Sequence, residues 1–587
     1  MCRDPSSTRQ SRLPPVRVVR RVPDAPPPHD ADTLFAQLYV ARGVGALAGG
    51  ELRLAGLHPR DALTGIDDGA RRIAEAVCSG ESILIVGDYD ADGATGSALA
   101  FLALRALGAS AVAYLIPSRF ADGYGLSPQV VDVAARQSPG LILTVDNGIA
   151  SLAGVARANE LGIAVVITDH HLPGQTLPAA AAIVNPNQPD CRFPSKHLAG
   201  VGVVFYLMTA VRARLCEAGW LGASRPAPNL AELLDLVALG TVADVVTLDE
   251  NNRILVEQGL RRIRAGRCRP GIRALLGVAG RNPARAVATD LAFAVAPRLN
   301  AAGRLGDMSL GVECLLAEDP IEALKIAREL DRLNRERRAI ELGMKDQAEE
   351  LLTELRLDGA DLPPGLCLFA PGWHQGVTGI LAARLRERYH RPVIAFGEAA
   401  GGQLRGSARS IDGVHIRDLI AAVDHRHPGL IAGFGGHAMA AGLSLTASAF
   451  ESFRAAFAAI VAEELGETPH SRELISDGEL PVALMDLTTA ERLRFAGPWG
   501  KGFPEPLFDG AFDVLDRRVV AERHLRLRVR ARASAGEGRP IDAIGFNLAN
   551  RAGDVRTAAH LAYRLDVNEY QGQRTPQLIL EHLQSIP

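Results

Sequence analysis

The sequence predicts an α/β protein: a doubly wound parallel sheet, a long helix, a smaller second α/β region and a C-terminal β-barrel. Three observations carry this. Between Glu81 and Val184, five short apolar runs alternate with amphipathic helical stretches. Glu318–Leu355 reads as one highly charged helix, and the residues beyond it end in short alternating strands separated by turn residues. A chain of 587 residues exceeds what one hydrophobic core organises, so several domains are expected.

In chain order, residues 1–30 carry Arg3, Arg9, Arg12, Arg17, Arg20 and Arg21 among many prolines and read as a disordered tail, either a solvated extension or a basic arm. The apolar runs follow: Ile83–Val86, Ala111–Ile116, Leu141–Leu143, Ala164–Ile167 and Ala181–Val184. Strands this apolar need cover on both faces, which helices at Ala94–Leu107 and Gln129–Arg136 supply. Asp319-Pro320 is a good helix start, and the helix it opens is interrupted only by Gly343. At ~1.5 Å per residue it spans on the order of 50 Å, as an interdomain strut. Leu362–Glu464 then mixes strands such as Ile394–Phe396 with glycine-rich loops and helices.

Composition narrows the function classes. The chain is 47% hydrophobic and 22% charged, with a net charge of −3, so any nucleic-acid site must be a local patch. Seven scattered cysteines without a C-x-x-C pair exclude the usual zinc-ribbon spacing and predict a reducing compartment. The longest uncharged apolar stretch, Leu198–Val211, is shorter than the ~20 residues of a membrane helix. No secretory h-region follows the N-terminal arginines. A cytoplasmic protein with no membrane partner is expected.

The acids sit at strand ends. Ile83–Val86 leads into Gly87-Asp88-Tyr89-Asp90-Ala91-Asp92-Gly93, Leu141–Val145 into Asp146-Asn147-Gly148, and Ala164–Thr168 into Asp169-His170-His171. Parallel strands open their carboxyl ends onto one crevice. Asp244, after the predicted helix Leu230–Leu239, is a fourth candidate. A lone Asp-Gly or Asn-Gly here is a turn former. Three at successive strand ends point instead to charge that needs neutralising. Carboxylates with imidazole suit manganese, magnesium or zinc, and the first two best where oxygen dominates. Two such ions ~3.5–4 Å apart clamp a phosphate, activate water and stabilise the leaving oxygen.

Asp169-His170-His171 with the upstream Asp-x-Asp-x-Asp-Gly resembles the DHH phosphoesterase superfamily. Further blocks are similar to its RecJ branch, exonucleases specific for single-stranded DNA: Pro117–Leu126, Gly240–Val246, Ala296–Arg304, Trp373–Val377 with Gly379-Ile380, Gly406–Ser410 and Gly433–Gly442. The resemblance implies a DHH catalytic domain over 31–315, a connecting helix over 316–358, a DHHA1 domain over 359–466 and an OB-fold over 467–587. It implies that Asp90, Asp92, Asp146, His170 and Asp244 ligate two divalent cations, Mn²⁺ or Mg²⁺, with Asp146 touching both. His171 is then expected to face the scissile phosphate, and Asp88 to lie close by in a catalytic role. The small-nucleotide branches carry a His four positions before the Asp-x-Asp pair; here that position is Val86, and Asp88 stands in locally. The implied activity is 5′→3′ hydrolysis of single-stranded DNA to mononucleotides in recombination and repair. The implied partners are a strand with a 5′ end, single-strand-binding protein and a helicase, and the protein itself is expected to be a monomer. Hydrolysis of small nucleotides, or strand binding by a dead site, are the competing readings.

Basic and polar residues complete the expected site. Arg119, Arg298, Asn300 and Arg304 lie in family blocks and are expected at phosphates, although any one arginine taken singly is more often an ordinary surface residue. Ser407, Arg409 and the Gly435-Gly436-His437 loop suit an anion clamp, while loops of packed α/β domains need glycine anyway. In His524–Arg532, arginine takes every second position, so Arg526, Arg528, Arg530 and Arg532 share one strand face opposite Leu525, Leu527 and Val529. That row reads either as a track for single-stranded DNA or as a charged edge strand.

Overall fold

The computed structural model describes residues 16–23, 26–45, 52–119, 122, 125–354, 362–466, 472–533 and 536–586. They form two compact units, one within residues 20–334 and 476–587, the other within 1–19 and 335–475. The expected tail is corrected in part. Val16–Arg20 is a strand, β1, whose valines favour extended backbone. Asp30 caps helix Ala31–Val40, accepting from Thr33 N–H at 2.8 Å. Residues 1–15 and 24–25 lie outside the described residues. That helix also departs from the expected domain limits, because Leu34, Phe35 and Leu38 pack into the core of the C-terminal barrel.

The site is positioned by β2 (Ile83–Gly87), β3 (Val112–Leu115), β4 (Leu141–Val145), β5 (Ala164–Thr168) and β6 (Ala182–Val184). They form an all-parallel sheet in the order β3-β2-β4-β5-β6. Ile83, Ile85, Leu141 and Leu143 face a core that includes Leu99 of helix Ala91–Ala106 and Val204 of helix Gly200–Glu217. Leu84, Val86, Ile142 and Ile167 face another under helices Pro128–Ala135 and Leu152–Glu160. Both faces are covered, so β2 and β4 are buried throughout and apolar except for Thr144, whose hydroxyl donates to Asn147 O at 2.7 Å. The chain steps from β2 to β3 on one side and then to β4 on the other. The ends of β2 and β4 therefore flank the switch point where such sheets bind ligands.

The predicted long helix runs over Pro320–Glu354; residues 355–358 of the expected connector lie outside the described residues. In the second unit, β7 (Leu366–Phe369), β8 (Val393–Ala399), β9 (Gln403–Arg409), β10 (Gly433–Gly436) and β11 (Ala440–Thr446) form a sheet in the order β10-β11-β9-β8-β7. Only its β7–β8 pair is parallel. Phe396, Ile420, Phe453 and Phe457 are part of its core. Strand β12 (Arg472–Ser476) pairs with β1.

The C-terminal strands are β13 (Phe508–Val520), β14 (His524–Ala533), β15 (Gly536–Glu537), β16 (Ile541–Gly545), β17 (Ala558–Tyr570) and β18 (Gln573–Ser585). The order β13-β17-β18-β16-β14 closes on itself through β13–β14, giving the five-stranded barrel of an OB-fold, with β15 added to β14. Among the described residues, no helix is long and apolar enough to cross a membrane.

Candidate metal centre and strand contacts

Each strand end delivers its acid by a local rule. After β2, Asp90 becomes the N-cap of helix Ala91–Ala106, its Oδ1 accepting from Asp92 N–H at 2.9 Å and Gly93 N–H at 3.0 Å. Asp92 accepts from Gly200 N–H at 2.6 Å and Val201 N–H at 2.9 Å, at the open start of helix Gly200–Glu217. Its charge thus meets the positive end of that helix. After β4, Asp146 takes a left-handed backbone (φ 62°), uncommon for a residue with a side chain. Gly200 makes the room, since a Cβ there would lie 2.7 Å from the Cβ of Asp146. After β5 come His170 and His171, and Asp244 caps the C-terminus of helix Leu234–Ala243.

These side chains converge. His170 Nε2 lies 3.1 Å from Asp146 Oδ1 and 3.5 Å from Asp244 Oδ2. Possible ligand atoms fall into three groups, each within 4.8 Å: Asp92, His170 and Asp244; Asp88, Asp90 and Asp146; and Asp146, His170 and His171. The third group links the other two through Asp146 and His170. All five expected ligands and Asp88 are therefore assembled in one place.

By themselves these charges repel. Burial, then Asp90, raises Asp88 well above the usual carboxylate range. Burial, then the surrounding aspartates, does the same to Asp146. Asp92 is pushed up to about 7 by burial and Asp244, and Asp244 to about 7 by burial and Asp90. Burial and then His171 hold His170 below its ordinary value, so its ring is neutral. Its buried Nε2 makes no hydrogen bond and carries a lone pair toward the carboxylates. Crowded, desolvated carboxylates around a neutral imidazole fit divalent cations, and the oxygen-rich set fits manganese or magnesium.

His171 is held differently. Burial pulls its pKa down, but the hydrogen bond and charge of Asp169 outweigh that and push it up to about 9. Asp169, not among the expected site residues, is the buried hub. It accepts from Ile149 N–H (2.9 Å), His170 N–H (2.7 Å), His171 N–H (3.0 Å) and His171 Nδ1 (2.7 Å). A carboxylate directly before two histidines at a strand end is the signal for such an orienting partner.

Among the expected phosphate contacts, the structure sorts residues into outward and inward sets. Arg119 stacks on Tyr89 at 4.0 Å and donates from Nε to Gly303 O at 3.3 Å, beside Asp88 and Asp90. Arg304 also acts on Tyr89, so both cations border the carboxylates. Gly303 permits this approach, because a Cβ there would lie 2.0 Å from Tyr89 O. Residues 120–121 and 123–124 of the neighbouring block lie outside the described residues. Arg298 is a correction: it is buried, donating to Ala294 O at 2.5 Å and pairing with Asp331 at 2.9 Å, so it anchors helix Ala296–Leu305. Asn300 Oδ1 accepts the Ala91 N–H at 2.8 Å, so this side of its amide serves the helix start that follows Asp90.

On the barrel, Leu525, Leu527 and Val529 are buried and the arginines of β14 face outward, as expected. The row is not bare, however. Arg526 pairs with Asp542 at 2.9 Å and Arg532 with Asp513 at 2.5 Å, both acids on neighbouring strands. In the second unit, Ser407 Oγ lies 3.0 Å from Thr378 Oγ1 at the start of helix Thr378–Tyr389. Arg409 packs over Gly379, where a Cβ would lie 3.0 Å from its Nη2. His437 N–H bonds Ala440 O, and Ala440 lies opposite Arg409. Ser407 and Arg409 therefore meet at the start of helix Thr378–Tyr389, with the backbone of His437 on the adjoining turn; Thr378 was signalled in the sequence only as a hydroxyl at a helix start.

The matched family models are the DHH family N-terminal domain at residues 82–241, the DHHA1 domain at 363–463 and the RecJ OB domain at 476–582. The chain is 55% identical over 574 residues to a single-stranded-DNA-specific exonuclease RecJ of Dickeya dadantii, covering 97% of this chain and 99% of that one. It is 52% identical over 560 residues to the Escherichia coli protein of the same name, covering 95% and 96%. A crystal structure of RecJ from Thermus thermophilus with Mn²⁺ matches with a TM-score of 0.78 at 31% identity, over 98% of this chain and 80% of that one. A Mg²⁺ complex from the same organism gives 0.71 at 29% identity, over 98% and 79%.

Proposed function

The chain belongs to the RecJ family of single-stranded-DNA-specific exonucleases, and from that premise we propose how its own residues hold and cut a strand. Asp90, Asp92, Asp146, His170 and Asp244 hold two divalent cations, manganese or magnesium, with Asp88 beside them and Asp146 serving both. When bound, such a pair activates water for in-line attack on phosphorus and takes up charge on the leaving oxygen. Asp169 keeps His171 protonated through Nδ1, and the Nε2 proton meets the phosphate oxygen on which negative charge builds. Arg119 and Arg304 orient the phosphate from the Tyr89 side. Ser407, Arg409 and His437 bind a phosphate of the strand, and Arg526, Arg528 and Arg530 track its backbone.

The reaction runs 5′→3′, releases mononucleotides and serves recombination and repair. Single-strand-binding protein and a helicase as partners, a monomeric state, a cytoplasmic location and domain limits at residues 315, 358 and 466 belong to the same reading. The observation that supports it most is the convergence of three strand ends and Asp244 on two ligand groups joined through Asp146 and His170. Digestion of 5′- and 3′-labelled oligonucleotides with manganese, magnesium or a chelator tests polarity, product size and metal need together. Loss of the 3′ label first, or full activity in chelator, contradicts it.

A further inference from the structure

The outer face of β14 and β16 carries more than arginine. On β16 the outward positions are Asp542 and Ile544, and Phe546 continues them just beyond the strand. Register pairs Arg526 with Ile544 and Leu525 with Gly545, so Phe546 arrives beside His524 at the end of the arginine row. The two rings meet edge to face at 5.3 Å. Phe546 is nevertheless 56% exposed. It lines a groove of about 450 Å³ whose other wall carries Phe293, 74% exposed. Phe293 stands on a π-helical turn, Leu291–Val295, immediately before helix Ala296–Leu305. Such turns re-aim side chains and recur at functional sites.

The charges in this groove are largely spent on each other. Arg281 pairs with Asp290 at 3.3 Å, Arg494 with Asp566 at 3.6 Å and Arg564 with Glu581 at 2.9 Å. A charge-balanced floor between two exposed rings suits the neutral faces of bases better than phosphates. The arginine row that leads to it suits phosphates. The second and third strands of an OB-fold barrel, here β14 and β16, are the face on which such folds take oligonucleotides, with aromatic rings stacking the bases.

We propose that the groove between Phe293 and Phe546 is a base-stacking subsite for single-stranded DNA, entered along the arginine row of β14. This deepens the exonuclease reading and rests on it. Binding to a fluorescein-labelled 20-residue oligonucleotide is measured on the full chain in chelator, for Phe293→Ala, Phe546→Ala, the double variant, and Phe→Leu and Phe→Tyr at each position. Each Ala variant is expected to weaken binding about tenfold, with Leu no better than Ala and Tyr close to wild type. An oligonucleotide carrying 2-aminopurine should be quenched by wild type and less so by the double variant. Unchanged affinity and quenching in the double variant overturn the proposal, and rescue by Leu overturns it in favour of a plain apolar contact without stacking. Wild-type digestion of the same oligonucleotide in manganese is the separate control. If it fails, the exonuclease reading falls; if it succeeds while the double variant binds like wild type, only the stacking subsite falls.

Discussion

Loading the metal-free protein with manganese should displace protons, and the buried aspartates set how many. Asp92 and Asp244 are pushed up to about 7 by burial and by neighbouring acids. At pH 7 each is about half protonated, so filling the site releases about one proton from this pair. Asp88 and Asp146, raised well above the usual range, add to that number. The apparent association constant for Mn²⁺ is therefore expected to rise at least about tenfold per pH unit around pH 7. The same protons set the stability of the chelated protein. The folded carboxyls hold them where the unfolded chain, with ordinary aspartates near 3.8, has released them. This contribution is full below about pH 4 and is lost as pH rises through about 7, at about 1.4 kcal/mol per pH unit for each proton retained. Titration calorimetry in two buffers of different ionisation enthalpy at pH 6, 7 and 8 counts the protons, and melts in chelator follow the stability. A proton count of zero at pH 7, or an Mn²⁺ affinity flat from pH 6 to 8, refutes the reasoning.

Four further outcomes are expected. Asp146→Ala should lower the rate of cleavage by on the order of 10³-fold while strand binding in chelator stays at the wild-type level; a variant cutting at more than a tenth of the wild-type rate contradicts the shared-ligand role. Asp169→Asn keeps the shape but removes the charge that holds His171 at about 9, so the loss of activity, roughly 10–100-fold, should be larger at pH 8 than at pH 6. Arg526→Ala and Arg528→Ala should each reduce the slope of log K against log salt by about one. Arg298→Ala should leave that slope alone and instead cost about 1–3 kcal/mol of stability, because it removes the buried guanidinium that bonds Ala294 O and Asp331. A changed salt slope for Arg298→Ala would return that residue to the DNA.

What could be read from sequence, and what could not, divides along a physical line. The parallel sheet was legible because strands buried on both faces must be almost wholly apolar, as Ile83–Gly87 and, Thr144 apart, Leu141–Val145 are. The acids were legible because the crevice of such a sheet lies at strand ends, so chain position alone places Asp90, Asp146 and His170. The misreadings all concern residues whose role is fixed by a distant partner. Arg298 turns inward because Asp331, 33 residues on, receives it. Helix Ala31–Val40 joins a barrel core whose strands begin at Phe508.

The arginine row shows the same limit in a form that bears on function. Its alternation on one face of β14 follows from strand periodicity, but its effective charge does not. Asp513 reaches Arg532 from β13, and Asp542 reaches Arg526 from β16, through registers that no local pattern encodes. These acids balance part of the row's charge, so repulsion between its guanidiniums is no argument for DNA. What remains is directional. The pairs leave the row on the outer face, and that face ends at Phe546. Exposed side-chain pairs of this kind contribute only ~0–1 kcal/mol each. A phosphate gains a charge-assisted bond from the same guanidinium and releases counterions, so the strand can displace the acids at little cost. The intramolecular pairs are thus compatible with a DNA track, and the salt slopes of Arg526→Ala and Arg528→Ala, one paired and one opposite Asp516, separate the two contributions.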